Sequence, residues 1–382
     1  MTPTARRLSS IEPFRVMDIL ARARAMEREG RSVVHMEIGE PDFPTAPAIV
    51  QAGIAALQAG HTHYTPALGL TELRAAIAAS YPERTHLDPS RVVVTPGASG
   101  ALQLILAALI NPGDEVLMTD PGYPCNRHFV SLFEGVPLAV PVNAATKYQL
   151  TADLIRQRWT QRTVAVLLAS PSNPTGTIIP AEEMAEMTRI VEERGGVLIV
   201  DEIYHGLVYS EETKTALMHS PNLFVVNSFS KYYGMTGWRL GWLVAPTPYI
   251  QAIDKLAQNI FLAASTPAQH AALAAFEPEV QQELGRRREI FRERRDYLLP
   301  ALRELGFEIP LIPQGAFYLY ADCSRFAKDS QAFALELLDE AGVAITPGLD
   351  FGGYRAAQHV RFSYATTLEN LQEGVSRLRN FL

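Results

Sequence analysis

Short apolar runs that stop at polar or glycine-rich sequence recur through the first two thirds of the chain, with helical patterns between them. Runs of this kind are typical of buried parallel strands, and their alternation with helices predicts βαβ units. We therefore expect an α/β protein whose large domain has a mostly parallel mixed sheet flanked by helices. The runs lie at residues 92–94, 115–118, 164–169, 197–200 and 223–226, and a further strand is expected at 240–245.

The pattern changes after about residue 280. A long, charged amphipathic helix is expected over residues 281–305, with a kink at Pro300. Shorter strand and helix patterns follow it and predict a second, smaller α+β domain. These patterns lie at 317–320, 330–341, 343–345 and 360–363.

The N-terminal segment 11–29 has a helical pattern with Pro13 near its start. We expect this helix to pack against the second domain or against a partner subunit. The predicted organisation is an N-terminal arm that belongs in part to the small domain, then a large ligand-binding domain, then a small C-terminal domain. The expected boundaries are 1–45, 46–280 and 281–382.

The sequence after the run at 223–226 carries the most informative chemistry. Lys231 is close in sequence to the hydroxyls of Ser228 and Ser230 and to the guanidinium of Arg239. A lysine amine can form an imine with an aldehyde, and hydroxyls and a guanidinium can hold a phosphate. Pyridoxal 5′-phosphate (PLP) carries an aldehyde and a phosphate on one ring, so this segment predicts a PLP site. An isolated lysine is usually a solvated surface residue, but Lys231 follows a predicted strand where open α/β sheets bind ligands.

Polar or aromatic groups follow the other predicted strands at the same end. Because the carboxyl ends of parallel strands meet at one edge of a sheet, we expect these groups to converge around Lys231. The turn at 97–100 also opens a helix, whose free N–H groups suit an anion. The other groups are Tyr123 after the second run, Asn173 after the third, and Asp201 with Tyr204 after the fourth.

Composition limits the classes of partner. The chain has 382 residues, of which 47% are hydrophobic and 20% charged, so it has ample material for a core. The net charge of −7 argues against nucleic acid as a partner, and the basic stretch at 286–295 is interleaved with acids, as on a solvated helix face. No apolar run reaches the roughly 18 residues that a membrane span requires, and no signal-peptide pattern is visible.

The cysteine content indicates a reducing compartment. Cys125 and Cys323 are the only two, so a disulfide framework is not expected and a cytoplasmic location fits. No cluster of Cys and His has the spacing of metal ligands, so no metal site is predicted. We interpret Cys125 as structural, although it follows Tyr123 closely, because no base is obviously paired with it.

The chain resembles the PLP-dependent class I/II aminotransferases of fold type I, the aspartate aminotransferase superfamily. The segments that carry the resemblance are residues 39–43, 64–66 with Gly69, 170–176, 201–204, 228–239 and Arg361. The resemblance covers nearly the whole chain, and the order and spacing of these segments make it specific.

The resemblance implies a role for each residue around the cofactor ring. Lys231 would hold PLP as a Schiff base and afterwards move the proton between substrate and cofactor. Asp201 would pair with the pyridine nitrogen, and Asn173 and Tyr204 would hydrogen-bond the phenolic oxygen. Tyr123 would stack on the face of the ring.

The resemblance also implies a shared phosphate site. Ser228, Ser230 and Arg239 would bind the phosphate, together with the helix start formed by Gly97, Ala98 and Ser99. Tyr64 would reach the phosphate from the neighbouring subunit, which predicts a homodimer with shared active sites.

For the substrates, the resemblance implies that Arg361 binds the α-carboxylate as a bidentate, permanently charged partner, with Asn173 and the backbone of Gly39 beside it. The expected activity is transfer of an amino group from an L-amino acid to a 2-oxo acid in a ping-pong cycle. A PLP-dependent β-lyase is the alternative on the same fold, because it would use the same lysine, aspartate and arginine. A regulatory or binding protein that kept the fold is a second alternative, but Lys231 is present and no helix-turn-helix extension precedes residue 11.

Substrate preference is less constrained. Some dicarboxylate-specific relatives have a lysine in the glycine-rich turn where this chain has Ser99, which disfavours aspartate as the best donor. Aromatic or larger neutral side chains are favoured instead, with Phe14, Tyr318 and Phe351 as expected wall residues.

Overall fold

The structure is a computed structural model that describes residues 4–82, 85–209 and 214–382. Its strands within these ranges are β1 (Val34–His35), β2 (Val92–Thr95), β3 (Glu115–Asp120), β4 (Val136–Pro141), β5 (Thr163–Ala169), β6 (Val197–Asp201), β7 (Phe224–Ser228), β8 (Gly241–Val244), β9 (Tyr318–Asp322), β10 (Val343–Ala344), β11 (Thr346–Pro347) and β12 (His359–Ser363).

The α-helices of the same ranges flank these strands in chain order. They are α1 (Arg15–Arg28), α2 (Pro47–Gln58), α3 (Thr71–Ala79), α4 (Gly97–Leu109), α5 (Pro124–Leu132), α6 (Ala152–Arg158), α7 (Ala181–Glu193), α8 (Ile250–Ile260), α9 (Thr266–Leu273), α10 (Pro278–Leu305), α11 (Ser330–Glu336) and α12 (Leu368–Phe381).

The main sheet has the strand order β2-β8-β7-β6-β5-β3-β4. Neighbouring strands are parallel except at β8, which runs antiparallel to both β2 and β7. The five apolar runs correspond to β2, β3, β5, β6 and β7, which share one direction. The expected α/β class with a mostly parallel mixed sheet is therefore confirmed.

Both faces of this sheet are covered, which explains why its strands appear as continuous apolar runs. In β2, Val93 packs into one apolar cluster, whereas Val92 and Val94 pack into the cluster on the opposite face. Successive side chains of a strand point to opposite sides, so a strand that is buried on both faces needs apolar residues at every position.

The sequence did not predict β4. Among the described strands it pairs only with β3, at the edge of the sheet, and it contains Pro137 and Pro141. Proline cannot donate to a strand ladder, so it is tolerated at sheet edges, and several β4 residues are partly or fully exposed. Its sequence therefore lacks the apolar run of a buried strand.

The C-terminal part builds two smaller sheets. In one, β12 lies between β11 and β9 and is antiparallel to both, and in the other β1 pairs in parallel with β10. A separate apolar cluster joins Ile19 of α1, Leu298 of α10 and Leu378 of α12. The N-terminal segment thus packs with C-terminal elements, while the domain boundaries at residues 45 and 280 stay predictions.

The structure changes one helix prediction and leaves another open. The N-terminal helix begins at Arg15 and not near residue 11, because the Asp350 carboxylate accepts hydrogen bonds from the backbone N–H groups of Arg15 and Val16 at 2.8 and 2.9 Å. Pro13 therefore lies before the helix. The long helix α10 continues through Pro300 as one element, and a kink there stays a prediction.

Membrane-spanning helices and metal-ligand clusters are both absent from the described ranges. No helix there is long and apolar enough to cross a membrane. Nor do the described His, Cys, Asp and Glu side chains form a group of three or more that could hold a metal ion.

Candidate active site

A cavity of about 400 Å³ lies at the carboxyl edge of the main sheet, next to α1 and strand β12. Almost all of the predicted site residues line it, although they come from widely separated parts of the chain. These residues are Gly39, Ala98, Ser99, Tyr123, Asn173, Asp201, Tyr204, Ser228, Ser230, Lys231, Arg239 and Arg361.

Lys231 follows the end of β7 and points its amine across the cavity. Its Nζ atom donates a hydrogen bond to the carbonyl oxygen of Gly39 at 2.5 Å. The pKa of Lys231 is lowered to about 8, mainly by burial and also by the charges of Arg361 and Arg239, against the opposing effects of Glu40 and Asp201. The amine is therefore far closer to deprotonation at neutral pH than a solvated lysine is.

Asp201 is the last residue of β6 and is buried. Burial raises the pKa of its carboxyl to about 7, although a 3.0 Å hydrogen bond from the Ile203 backbone N–H favours the charged form. A buried carboxylate of this kind is stabilised by a cation placed against it.

Asn173 and Arg361 meet in the cavity from opposite parts of the chain. Arg361 Nη1 donates to Asn173 Oδ1 at 3.0 Å, and Arg361 Nη2 donates to the Glu37 carbonyl oxygen at 2.6 Å and to Thr346 Oγ1 at 3.1 Å. Its Nε atom is buried without a hydrogen-bond partner among the described residues. The guanidinium is thus held in place but still has unused donor capacity for an anion.

Aromatic side chains surround the same guanidinium. The Arg361 Cζ atom lies 4.2 Å from the ring centroid of Tyr318 and 5.0 Å from that of Phe351. The Tyr318 hydroxyl is 2.9 Å from the hydroxyl of Tyr204. Burial raises the pKa of both phenols, so both remain protonated donors at neutral pH.

The residues predicted to hold phosphate lie around the start of α4. Ser228 Oγ donates to Ser230 Oγ at 2.9 Å, and Arg239 Nη1 donates to the Thr236 carbonyl oxygen at 3.0 Å. Gly97 lies against Arg239: a Cβ atom at Gly97 would come within 2.8 Å of Arg239 Nη2. Helix α4 begins at Gly97 without a side-chain cap, which leaves its first N–H groups available to an anion.

Tyr123 and Tyr64 occupy very different environments. Tyr123 immediately precedes α5, and burial raises the pKa of its phenol, with a smaller contribution from neighbouring Cys125. Burial also raises the pKa of the Cys125 thiol, which fits a structural cysteine. Tyr64 does not line this cavity, and 82% of its surface is exposed.

Helix α1 supplies a wall that the sequence did not predict in full. Phe14 was expected there together with Tyr318 and Phe351, and all three line the cavity. The additional lining residues include Val16, Met17, Leu20, Glu37, Glu40, Leu102, Thr346 and Asp350. The apolar spacing of positions 16, 17 and 20 along α1 was a usable signal, whereas the others have no local signature.

The chain matches a known protein family over most of its length. The family described as aminotransferase class I and II matches residues 31–378. The chain is similar to the valine–pyruvate aminotransferase of Mycobacterium tuberculosis, at 39% identity over 387 residues, covering 100% of this chain and 99% of that protein. It is also similar to the (5-formylfuran-3-yl)methyl phosphate transaminase of Methanocaldococcus jannaschii, at 38% identity over 383 residues and 99% coverage of each.

The chain is also similar to a transaminase of known structure. The aspartate aminotransferase from Thermus thermophilus with maleate superposes with a TM-score of 0.94 at 34% identity, covering 100% of both chains. All three relatives are transaminases by name, which favours amino-group transfer over the β-lyase alternative and over a binding protein that kept the fold.

Proposed function

Because the chain belongs to the class I and II aminotransferases and is a PLP-dependent enzyme of that family, we propose that the cavity at the sheet edge transfers an amino group from an L-amino acid to a 2-oxo acid with Lys231 as its central residue. The observation that carries this proposal is the Lys231 amine, whose pKa burial lowers to about 8, directly above the sheet edge and within one cavity with Asp201 and Arg361.

The donor set of the cavity fits the cofactor at each of its functional groups. Lys231 offers an amine for the aldehyde, and the uncapped start of α4 faces Arg239 where a phosphate needs compensation. The buried Asp201 carboxyl forms no salt bridge among the described residues, and a protonated ring nitrogen would provide one. When bound, the cofactor serves as an electron sink for the carbanion formed at the substrate Cα.

Lys231 is proposed as the base and acid of the reaction. An amine with a pKa of about 8 can take a proton from the substrate Cα and return it at neutral pH, which a lysine of ordinary pKa does poorly. In the cofactor-free protein its hydrogen bond to the Gly39 carbonyl oxygen directs Nζ across the cavity, where the aldehyde would be bound.

Asp201, Asn173 and Tyr204 are proposed to bind and tune the ring. Asp201 would hold a proton on the ring nitrogen, and this pairing would return its raised pKa towards the usual range. Asn173 and the Tyr204 hydroxyl would donate to the phenolic oxygen, with Tyr123 stacked on the ring face.

Ser228, Ser230, Arg239 and the N–H groups at Gly97, Ala98 and Ser99 are proposed to bind the phosphate. Their arrangement supports this, because the hydroxyls and the helix start lie on the same cavity as an exposed guanidinium. Arg361 is proposed to bind the substrate α-carboxylate through its unused donor capacity, with Asn173 and the backbone of Gly39 at its side.

We further propose that the enzyme is a homodimer with shared sites. Tyr64 is a predicted phosphate ligand that does not line the cavity of its own chain, and its 82% exposure leaves its hydroxyl available to a second subunit. The two cysteines, which form no disulfide, support a cytoplasmic location.

The substrate side chain is proposed to be neutral and apolar. The α1 wall contributes Phe14, Val16, Met17 and Leu20, and the carboxylates of Glu37, Glu40 and Asp350 also line the cavity. The described residues of this cavity supply no cation beyond Lys231, Arg239 and Arg361, which already have proposed partners. The name of the mycobacterial relative, valine–pyruvate aminotransferase, agrees with this chemistry.

Borohydride reduction followed by peptide mass spectrometry tests the central assignment. The cofactor mass is expected on the peptide that contains Lys231 and on no other lysine peptide. A Lys231→Ala variant is expected to fold but to lose transamination. Modification of a different lysine, or unchanged turnover of the variant, would contradict the proposal.

A further inference from the structure

Tyr318 lies between two groups with separate proposed roles. It is 1% exposed, and it lies at the start of β9, with its ring 4.2 Å from Arg361 Cζ and its hydroxyl 2.9 Å from the Tyr204 hydroxyl. One side chain therefore contacts the proposed carboxylate-binding cation with its face and the proposed phenol donor with its edge.

The backbone leaves room for this arrangement at one particular glycine. A Cβ atom at Gly39 would lie 2.7 Å from the Tyr318 hydroxyl oxygen, closer than two such atoms can approach. Gly39 also accepts the Lys231 hydrogen bond through its carbonyl oxygen. The position of the Tyr318 hydroxyl is thus defined from two sides, by Tyr204 and by the backbone of Gly39.

We propose that Tyr318 is a positioning residue that fixes the Tyr204 hydroxyl and the Arg361 guanidinium relative to each other, by a hydrogen bond to the first and by its ring face against the second. This inference rests on the proposed function, because it concerns how two of its assigned residues are held.

The hydrogen bond has a defined direction in the working enzyme. Tyr204 has a single hydroxyl proton, and its proposed role places that proton on the phenolic oxygen of the cofactor. The Tyr204 oxygen then accepts, so Tyr318 donates. A hydroxyl that accepts one hydrogen bond becomes a stronger donor in the next, so Tyr318 strengthens the bond that Tyr204 makes.

The Tyr318→Phe variant tests the hydrogen bond in the holoenzyme. Without this hydrogen bond, Tyr204 stabilises negative charge on the phenolic oxygen less well. The Lys231 nitrogen beside that oxygen then keeps its proton to higher pH, because its proton stabilises the same negative charge. The midpoint of the cofactor absorbance titration with pH is expected to rise by about 0.3 to 1 pH unit. The matched control is Tyr320→Phe, two residues along β9, whose buried hydroxyl has no partner among the described residues.

The ring contact is tested separately with 3-phenylpropanoate, a carboxylate that lacks an amino group and cannot react. Tyr318→Phe keeps the ring, so its Kd for this probe is expected to stay within about twofold of the parent value. Tyr318→Leu removes the ring face, and its Kd is expected to rise by about 2- to 30-fold. Thermal unfolding of each holoenzyme shows whether the variant is folded, and the conservative Phe variant carries the test if the Leu variant is not.

A double-mutant cycle links the effect to Tyr204. In a Tyr204→Phe background, Tyr318→Phe is expected to cause no further change in the titration midpoint. An unchanged midpoint in Tyr318→Phe, the same shift in Tyr320→Phe, or additive shifts in the double variant would overturn the inference. Failure of the proposed function would give a different result from failure of this inference. The unsubstituted protein would then lack the absorbance band of a cofactor bound to Lys231.

Discussion

Arg361 and Asn173 are 188 positions apart in sequence, yet the Nη1 atom of one donates to the Oδ1 atom of the other at 3.0 Å. The contact joins β12 of the C-terminal part to the segment that follows β5 of the main sheet. It therefore connects the proposed substrate-binding cation with a proposed ligand of the cofactor, and each orients the other.

Asn173 substitutions test this coupling. Asn173→Ala leaves a buried charged donor without its partner, so kcat/KM is expected to fall about 10- to 100-fold. Asn173→Asp places a carboxylate against the same guanidinium, where it competes with the substrate carboxylate. A Kd for 3-phenylpropanoate that is weaker in Asn173→Asp than in Asn173→Ala is the expected result, and equal values would contradict the coupling.

Lys231 should make the stability of the cofactor-free protein depend on pH. Its folded pKa of about 8 lies below the ordinary lysine value of 10.5, so between these values the unfolded chain binds the extra proton and stability rises with pH. A shift of this size corresponds to at most about 3 kcal/mol. Urea unfolding at pH 7.5 and 10 is expected to show this rise in the parent protein and to show much less of it in Lys231→Met.

Asp201 should make the stability of the cofactor-free protein depend on pH in the opposite direction. Its folded pKa of about 7 lies above the ordinary aspartate value of 3.8, so between these values the folded protein binds the extra proton and stability is lost as pH rises. Cofactor-free Asp201→Asn is therefore expected to lose less stability than the parent between pH 5 and about pH 8. With PLP added, the parent protein is expected to lose less stability over this pH range than Asp201→Asn, because the amide cannot pair with a protonated ring nitrogen. An identical pH dependence in both proteins would show that this carboxyl titrates normally.

The sequence predicted the parts of the site that local chemistry determines. Strands β5, β6 and β7 are buried on both faces, so their apolar runs and the polar residues after them could be recognised without a structure. The edge strand β4 has no such run. The hydrogen bond between Tyr204 and Tyr318 and the donation from Arg361 to the Glu37 carbonyl oxygen depend on packing between distant segments, which no local pattern specifies.

Gly39 offers a test of close packing. Gly39→Ala would place a methyl group 2.7 Å from the Tyr318 hydroxyl, so either that hydroxyl or the segment at residue 39 has to move. We expect kcat/KM to fall by about 10-fold or more, because a displacement of this size disturbs catalytic geometry. Gly285→Ala is the matched control, since no atom of a described residue lies within 4 Å of its Cβ position. Similar losses in both variants would point to a general effect on stability.

The carboxylate of Asp350 anchors the α1 wall of the cavity. Asp350→Ala removes the acceptor for the N–H groups of Arg15 and Val16, at a cost of about 1 kcal/mol to the helix start. We expect a higher KM for apolar amino acids and faster proteolysis near residue 14. Asp339→Ala is the control, because Asp339 pairs with Arg22 farther along the same helix, at the surface. It should leave KM unchanged, and a rise equal to that of Asp350→Ala would show that the cap has no special role.

Ser99 tests the proposed preference for neutral substrates. Ser99→Lys adds a cation to a cavity whose apolar wall and carboxylates disfavour a second substrate carboxylate. A charge-assisted pair worth about 1.5–3 kcal/mol corresponds to a gain of about 10- to 150-fold in kcat/KM for aspartate, with a loss for leucine or phenylalanine. Ser99→Met is the control for side-chain length without charge. Efficient use of aspartate by the unsubstituted enzyme would contradict the preference, because it would require a cation from outside the described lining, such as one from a second subunit.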